Sequence, residues 1–173
     1  MQKITPMLWY DKEAEEAAQH YISVFSKRPG GKKGESRVLA ISRYPEGSPG
    51  PAGSVMVVSF QVEGQEFQAL NGGKQSFAFN ESLSFVVDCE SQQEVDYFWT
   101  ELAKGGEEGP CGWLKDRYGL SWQITPRGME EMLGSPNKEG ARRAMQAMLQ
   151  MKKLDLAELQ RAFKGEPAVQ RSK

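Results

Sequence analysis

Five residues occur twice in one pattern. "GQEFQ" (64–68) and "GLSWQ" (119–123) each read Gly, two residues, an aromatic, then Gln. A duplicated segment must build the same small unit twice, so this match narrows the fold more than composition does. The flanking pattern repeats in order. "KITPMLWY" (3–10) alternates as a strand. "DKEAEEAAQHYISVF" (11–25) follows as an amphipathic helix, with Ala14, Ala17, Ala18, Tyr21, Ile22 and Phe25 on one face and acidic residues in the first turn. After the basic Gly/Pro loop "SKRPGGKKGES" come a strand at 37–44 and a long turn at 45–54. A hairpin of 55–62 with 66–70 completes the unit.

From residue 82 the order restarts. "SLSFVVDC" (82–89) is a strand, and Ser91 with Glu94 has the form of a capping box. The helix it opens carries Val95, Phe98, Trp99 and Leu102 on one side. "AKGGEEGP" ends that helix, and "CGWLKDRYGLSWQIT" forms the last hairpin. Thr5 falls where Ser84 falls. The expectation is an α+β fold of paired βαβββ modules, at 1–75 and 76–127, the second shortened between its helix and its final hairpin. A helical extension follows at 128–173. It consists of one helix, a break near Leu154 and a second helix opened by Asp155 with Glu158 three positions on. Its Met145, Met148 and Met151 stripe reads as an apolar face covering the domain's own sheet or a dimer mate.

Length and charge close off other classes. A chain of 173 residues suffices for one domain or two half-size modules. A net charge of −1 recruits neither nucleic acid nor an anionic membrane surface. No apolar run approaches a membrane span and the first residues lack a signal pattern, so a cytoplasmic setting is expected. Cys89 and Cys111 have no metal-ligand spacing and read as reduced thiols. The single His20 sits within the first helix and reads as structural. Asp116 reads as an Asx residue supporting the turn into Gly119. Glu94, Asp96 and Glu101 read as solvated charge on a helix exterior.

The segments "ITPMLWYDKEAEEAAQHYISVF", "ALNGG", "FNESLSFVVDCESQQEVDYFW", "GWLKDRYGLSWQITP" and "AMLQMKK" together resemble the PhnB-like group of the vicinal-oxygen-chelate superfamily. That superfamily includes glyoxalase I, extradiol dioxygenases and bleomycin-resistance proteins. The resemblance covers most of the chain and departs mainly at 27–54. It implies paired βαβββ modules whose curved sheets surround a cavity, assembled as a homodimer. In metal-dependent relatives, His or Gln on the first strand and Glu on the last strand bind a divalent ion. Carried over, the first-strand positions are Thr5 and Ser84, and the last-strand positions are Gln68 and Gln123. "DRYGLSWQ" keeps the Asp-x-x-Gly-x-x-x-Glu spacing with Gln123 in place of Glu. Such a quartet has neither charge nor imidazole, so no metal and no cofactor is expected.

Some relatives are labelled demethylubiquinone methyltransferases. A methyltransferase using S-adenosylmethionine needs a Gly-rich turn between strand and helix. Gly30-Gly31, Gly72-Gly73 and Gly105-Gly106 supply none. Alternation places Trp9 with Thr5 and Met7, toward the implied cavity, and Trp122 opposite Gln123, under a helix. The expected small-molecule site is Thr5, Met7, Trp9, Gln68, Ser84 and Gln123, apolar with a few neutral hydrogen-bonding groups. Three functions follow: a small-molecule-binding protein without metal, a metal-dependent lyase, isomerase or dioxygenase with its ligands elsewhere, or an interaction protein.

Overall fold

The computed structural model describes residues 3–31 and 35–167. Part of the expected basic loop, residues 32–34, lies outside them. The chain divides into two compact units, Met1–Ala78 and Phe79–Lys173.

In the first unit, β1 (Met7–Tyr10) leads into α1 (Ala14–Ser26), followed by β2 (Arg37–Arg43), β3 (Val55–Val62) and β4 (Gln65–Asn71). The sheet order is β1-β4-β3-β2, with β1 parallel to β4 and the other pairs antiparallel. The expected strand at 3–10 is shorter than its pattern and Thr5 precedes it. Pro6 has no N–H for a ladder, and only its carbonyl is used, by the Gln68 N–H at 2.9 Å. β3 and β4 turn through Glu63 and Gly64, both at positive φ (48° and 81°), as a tight two-residue hairpin turn requires. Period-2 alternation puts Leu8, Tyr10, Val58, Phe60, Phe67 and Ala69 on one face. There they bury against Ala14, Ala17, Ala18, Tyr21 and Phe25 of α1. Three alanines on the helix let it approach the strands closely, and Tyr21, Phe60 and Phe67 stack in series.

The start of α1 is capped from a distance. Glu13, its N-cap, makes no side-chain cap bond. Instead Asn71, at the end of β4, accepts from the Ala14 N–H at 2.8 Å and donates to the Val55 carbonyl at 3.1 Å. One side chain thus satisfies an orphan helix donor and ties the helix to two strands.

The second unit repeats this plan. β5 (Ser84–Cys89), α2 (Gln92–Ala103), β6 (Glu107–Glu108), β7 (Trp113–Lys115) and β8 (Ser121–Pro126) form a sheet of order β5-β8-β7-β6, with β5 parallel to β8. The stretch expected only to end the helix contains β6, so the module has all five elements, with short strands. Ser91 caps α2 by accepting from the Glu94 N–H, as the capping box predicts. Glu94 itself corrects an expectation. It is buried rather than solvated, and its carboxylate accepts from the Glu90 N–H at 2.7 Å. The β7–β8 hairpin is built on Asp116, 2% exposed. Its Oδ1 accepts from the Tyr118 and Leu120 N–H groups at 2.9 and 3.1 Å, and its Oδ2 accepts from Trp122 Nε1 at 2.9 Å. The expected Asx role holds, extended by a bond that fixes the Trp122 ring beneath α2.

α3 (Met129–Leu133), α4 (Lys138–Met148) and α5 (Leu156–Lys164) complete the unit. Asp155 caps α5 through the Glu158 N–H at 2.9 Å, as expected. Gly140 and Ala144 face α5, where a Cβ on Gly140 would meet the Phe163 carbonyl at 2.9 Å. The extension is stitched to the module by backbone bonds from Cys111 and Gly112 to the Met151 and Lys152 carbonyls. Gln92 adds two more, accepting from Leu156 N–H and donating to the Leu154 carbonyl. Of the methionine stripe, Met148 and Met151 are half-buried. Small residues make the buried face of α4, and Met145 and Leu149 are exposed.

Two predictions follow from this core. Asp116→Ala leaves three donors without their carboxylate, and it is expected to cost about 2–4 kcal/mol in urea unfolding. A loss under about 0.5 kcal/mol would contradict the role. Burial, reinforced by the Glu94 and Asp88 charges, pushes the Cys89 thiol up from 9.0 to about 12. A raised folded-state value contributes stability that is complete below the unfolded thiol's value and is lost as pH rises toward about 12. Mass-mapped iodoacetamide alkylation at pH 8 is therefore expected to spare Cys89 in the folded protein and modify it in urea. Prompt native labelling at Cys89 would refute its burial.

Candidate functional site

Each sheet carries its helix on one face, and the other face holds the polar residues. In the second unit the ladder register builds that helix-free face in rows. Glu107 pairs with Lys115, Lys115 with Ser121, and Ser121 with Ser84, giving one polar row across all four strands. The next row is Trp113, Gln123 and Val86. Gln123 reaches diagonally between the rows and donates from Nε2 to Ser84 Oγ at 2.9 Å. Trp122, one residue away, lies on the helix face against Phe85, as alternation predicts. Lys115 is closed by Glu81 at 2.6 Å. Hydrogen bonding and charge within this pair lower the Glu81 carboxyl and raise the Lys115 ammonium.

The first unit has the matching register. Gln68 lies between Met7 and Ser59, and Leu70 between Trp9 and Val57. Met7 stands to Gln68 as Val86 stands to Gln123, which puts Thr5 and Ser84 at equivalent places two residues earlier. Trp9 is pinned. Its Nε1–H donates to the Gly73 carbonyl at 2.9 Å, its ring meets Phe77 edge-on at 5.5 Å, and the indole lies close against Gly72. A Cβ at Gly72 would sit 2.1 Å from the indole, so only glycine admits this ring position. What Trp9 offers outward is its apolar surface, since the polar edge is taken.

The six expected site residues therefore fall into two sets, one on each unit. Thr5, Met7, Trp9 and Gln68 belong to the first, and Ser84 and Gln123 to the second. Lys115, Ser121 and Glu107 share the second face and were not singled out from the sequence. The alternation of "WLK" and "SWQ" around Asp116 is the signal for Lys115 and Ser121, and Glu107 joins them only through the β6–β7 register. Cys111, at φ 56°, is held by its backbone to the C-terminal extension.

The donor set does not fit a divalent ion. Thr5, Gln68, Ser84 and Gln123 carry neutral oxygen and amide groups, whereas such ions favour carboxylate or imidazole ligands. The Gln123 amide is already engaged with Ser84. Among the described residues no three His, Cys, Asp or Glu side chains gather as metal ligands would. S-adenosylmethionine fits no better. The strand-to-helix turns, Asp11-Lys12-Glu13 and Glu90-Ser91, contain no glycine, and neither sheet is the open parallel type that cradles a nucleotide. No helix among the described residues is long and apolar enough to cross a membrane.

Comparison with known proteins agrees with this fold. A family model described as 3-demethylubiquinone-9 3-methyltransferase matches residues 2–125. A PhnB protein of Bacillus cereus, carrying the same methyltransferase label, is 35% identical, with a TM-score of 0.61 over 72% of this chain and 99% of its own. Protein PA1353 of Pseudomonas aeruginosa is 19% identical, with a TM-score of 0.56 over 73% and 98% of the two chains. A glyoxalase/bleomycin resistance protein of Albidiferax ferrireducens T118 is 16% identical, with a TM-score of 0.44 over 73% and 99%. No curated protein matches. The methyltransferase wording is a label of the family model, and the residues here give it no chemistry. With its repeated βαβββ modules, the chain belongs to the family of PhnB-like proteins that this model and the Bacillus cereus relative represent.

Proposed function

We propose that this protein binds a small organic molecule against the helix-free sheet faces, without a metal ion. The observation that carries the reading is the Gln123–Ser84 pair at 2.9 Å. It stands at the first- and last-strand positions where metal-dependent relatives are expected to place their ligands. A neutral amide held by a hydroxyl is a preorganised hydrogen-bonding group, with Gln123 Oε1 as the acceptor it would offer. Beside it, Trp113 and Val86 supply apolar surface, and an apolar lining with a few fixed polar groups is how small-molecule sites are commonly built. On the first module, Thr5, Met7, Trp9 and Gln68 form the counterpart. The modular division at 1–75, 76–127 and 128–173 belongs to the same proposal, as does a cytoplasmic setting.

The reading includes a homodimer. Met7 is 52% exposed and Val86 60%, so apolar side chains stand out on helix-free faces, and each sheet has edge strands. Exposed apolar surface and strand edges favour association with a second copy.

The test is a thermal-shift screen of small metabolites, followed by calorimetry. Gln123→Ala removes one hydrogen-bonding group from a ligand contact, and it is expected to weaken a hit by roughly tenfold with little change in unfolding. A hit whose affinity is the same in wild type, Gln123→Ala and Trp9→Ala would place binding elsewhere. Light scattering at micromolar concentration is expected to give twice the chain mass, and a monomer would remove the dimer from the reading.

A further inference from the structure

The polar row of the second sheet borders a cleft of about 340 Å³ that the Gln123–Ser84 pair does not account for. Glu81, Glu107, Glu108, Trp113, Lys115 and Ser121 line it. Two of these acids are occupied: Glu81 by Lys115 at 2.6 Å, and Glu108 by Trp99 Nε1 at 2.9 Å. Lys115 is the one cation among the lining residues, which include three carboxylates. Glu107 lies directly opposite Lys115 in the ladder, whose charge Glu81 already balances, so the cleft carries excess negative charge.

A second, independent feature lies in the cleft wall. Ser121 is 0% exposed, and its Oγ is a buried hydroxyl with no hydrogen-bond partner. A buried polar atom left unpaired costs about 1–3 kcal/mol, and native structures rarely carry one without a use. Its ladder neighbours are Lys115 and Ser84. The row thus sets an unsatisfied acceptor next to excess carboxylate, with the Trp113 ring one row away. An anion would meet Glu81 and Glu107 here as like charges. For a bare divalent ion the three carboxylates do not gather as metal ligands would. An organic ammonium suits all three features, since it offers N–H donors, a positive charge and a fit to an aromatic surface.

We propose that this cleft recognises the ammonium group of an amine-bearing small molecule. The inference rests on the ligand-binding reading above and adds the chemical class. In it, Glu107 supplies the counter-charge, Ser121 Oγ accepts an ammonium N–H, and Trp113 carries the adjoining apolar part.

The experiment is calorimetry on the full chain with 2-phenylethylamine, phenylacetate and 2-phenylethanol, which share a ring and differ in charge. The amine is expected to bind at least tenfold more tightly than phenylacetate at low salt, with the preference shrinking as salt screens it. Glu107→Gln and Ser121→Ala are each expected to weaken the amine roughly threefold to tenfold. Ser121→Ala is also expected to raise the unliganded melting temperature by roughly 2–6 °C, because it removes an unpaired buried hydroxyl. A wholly structural serine would show no coupled loss of amine affinity. Equal or tighter binding of phenylacetate overturns the proposal, as does amine binding untouched by both substitutions, or no amine binding at millimolar concentration. If phenylacetate or 2-phenylethanol binds and Gln123→Ala weakens it, the ligand-binding reading stands and the ammonium assignment falls.

Discussion

The parallel pairing of the first and last strand of each module is the constraint on which the rest depends. A parallel pair cannot be closed by a hairpin and needs a crossover, which α1 and α2 begin in their modules. The crossover helix lies on one face of the sheet, so that face must be apolar and the other is released from packing. The same pairing fixes Met7 beside Gln68 and Val86 beside Gln123. A slip of one residue in the second module would drive Gln123 under the helix and Trp122 out of it. Asp116 guards against this in the second module, because its bonds to the turn and to Trp122 are satisfied in one register only.

Once the helix face is settled, the free face is left to carry the half-buried polar groups. There the first- and last-strand positions hold hydroxyls and amides. Neutral groups can sit half-buried on a sheet at little cost when they bond each other, as Gln123 and Ser84 do. Carboxylates at those positions would need a cation to offset their desolvation. The charged residues of this face sit instead toward the short strands β6 and β7, where Lys115 is matched by Glu81. The two kinds of polar group are therefore sorted, neutral near the parallel pair and charged toward the edge.

Much of this was legible in the sequence. The repeat of Gly-x-x-aromatic-Gln found both last strands, and periodicity found both helices and the faces they bury. Ser91, Asp155 and Asp116 were readable as caps or turn formers because their roles are local. The misses share a physical cause, which is dependence on partners far along the chain. β6 is two residues long and exists through its pairing with β7. Asn71 caps a helix that begins 57 positions earlier. Glu94 lies within a polar stretch, yet its side chain folds back onto the chain that enters the helix. The row Glu107, Lys115, Ser121 could be assembled only once the register of three strands was known.

The central claim is the proposal of a neutral, metal-free site at the first- and last-strand positions where the family resemblance implies metal ligands in other members. The most direct measurement is elemental analysis of the purified protein, joined to calorimetric titration with Zn²⁺, Ni²⁺, Mn²⁺ and Fe²⁺. The account predicts no stoichiometric divalent ion and no saturable binding in the micromolar range. One equivalent of a divalent ion, held at micromolar affinity or tighter and lost on Gln123→Ala, would contradict it.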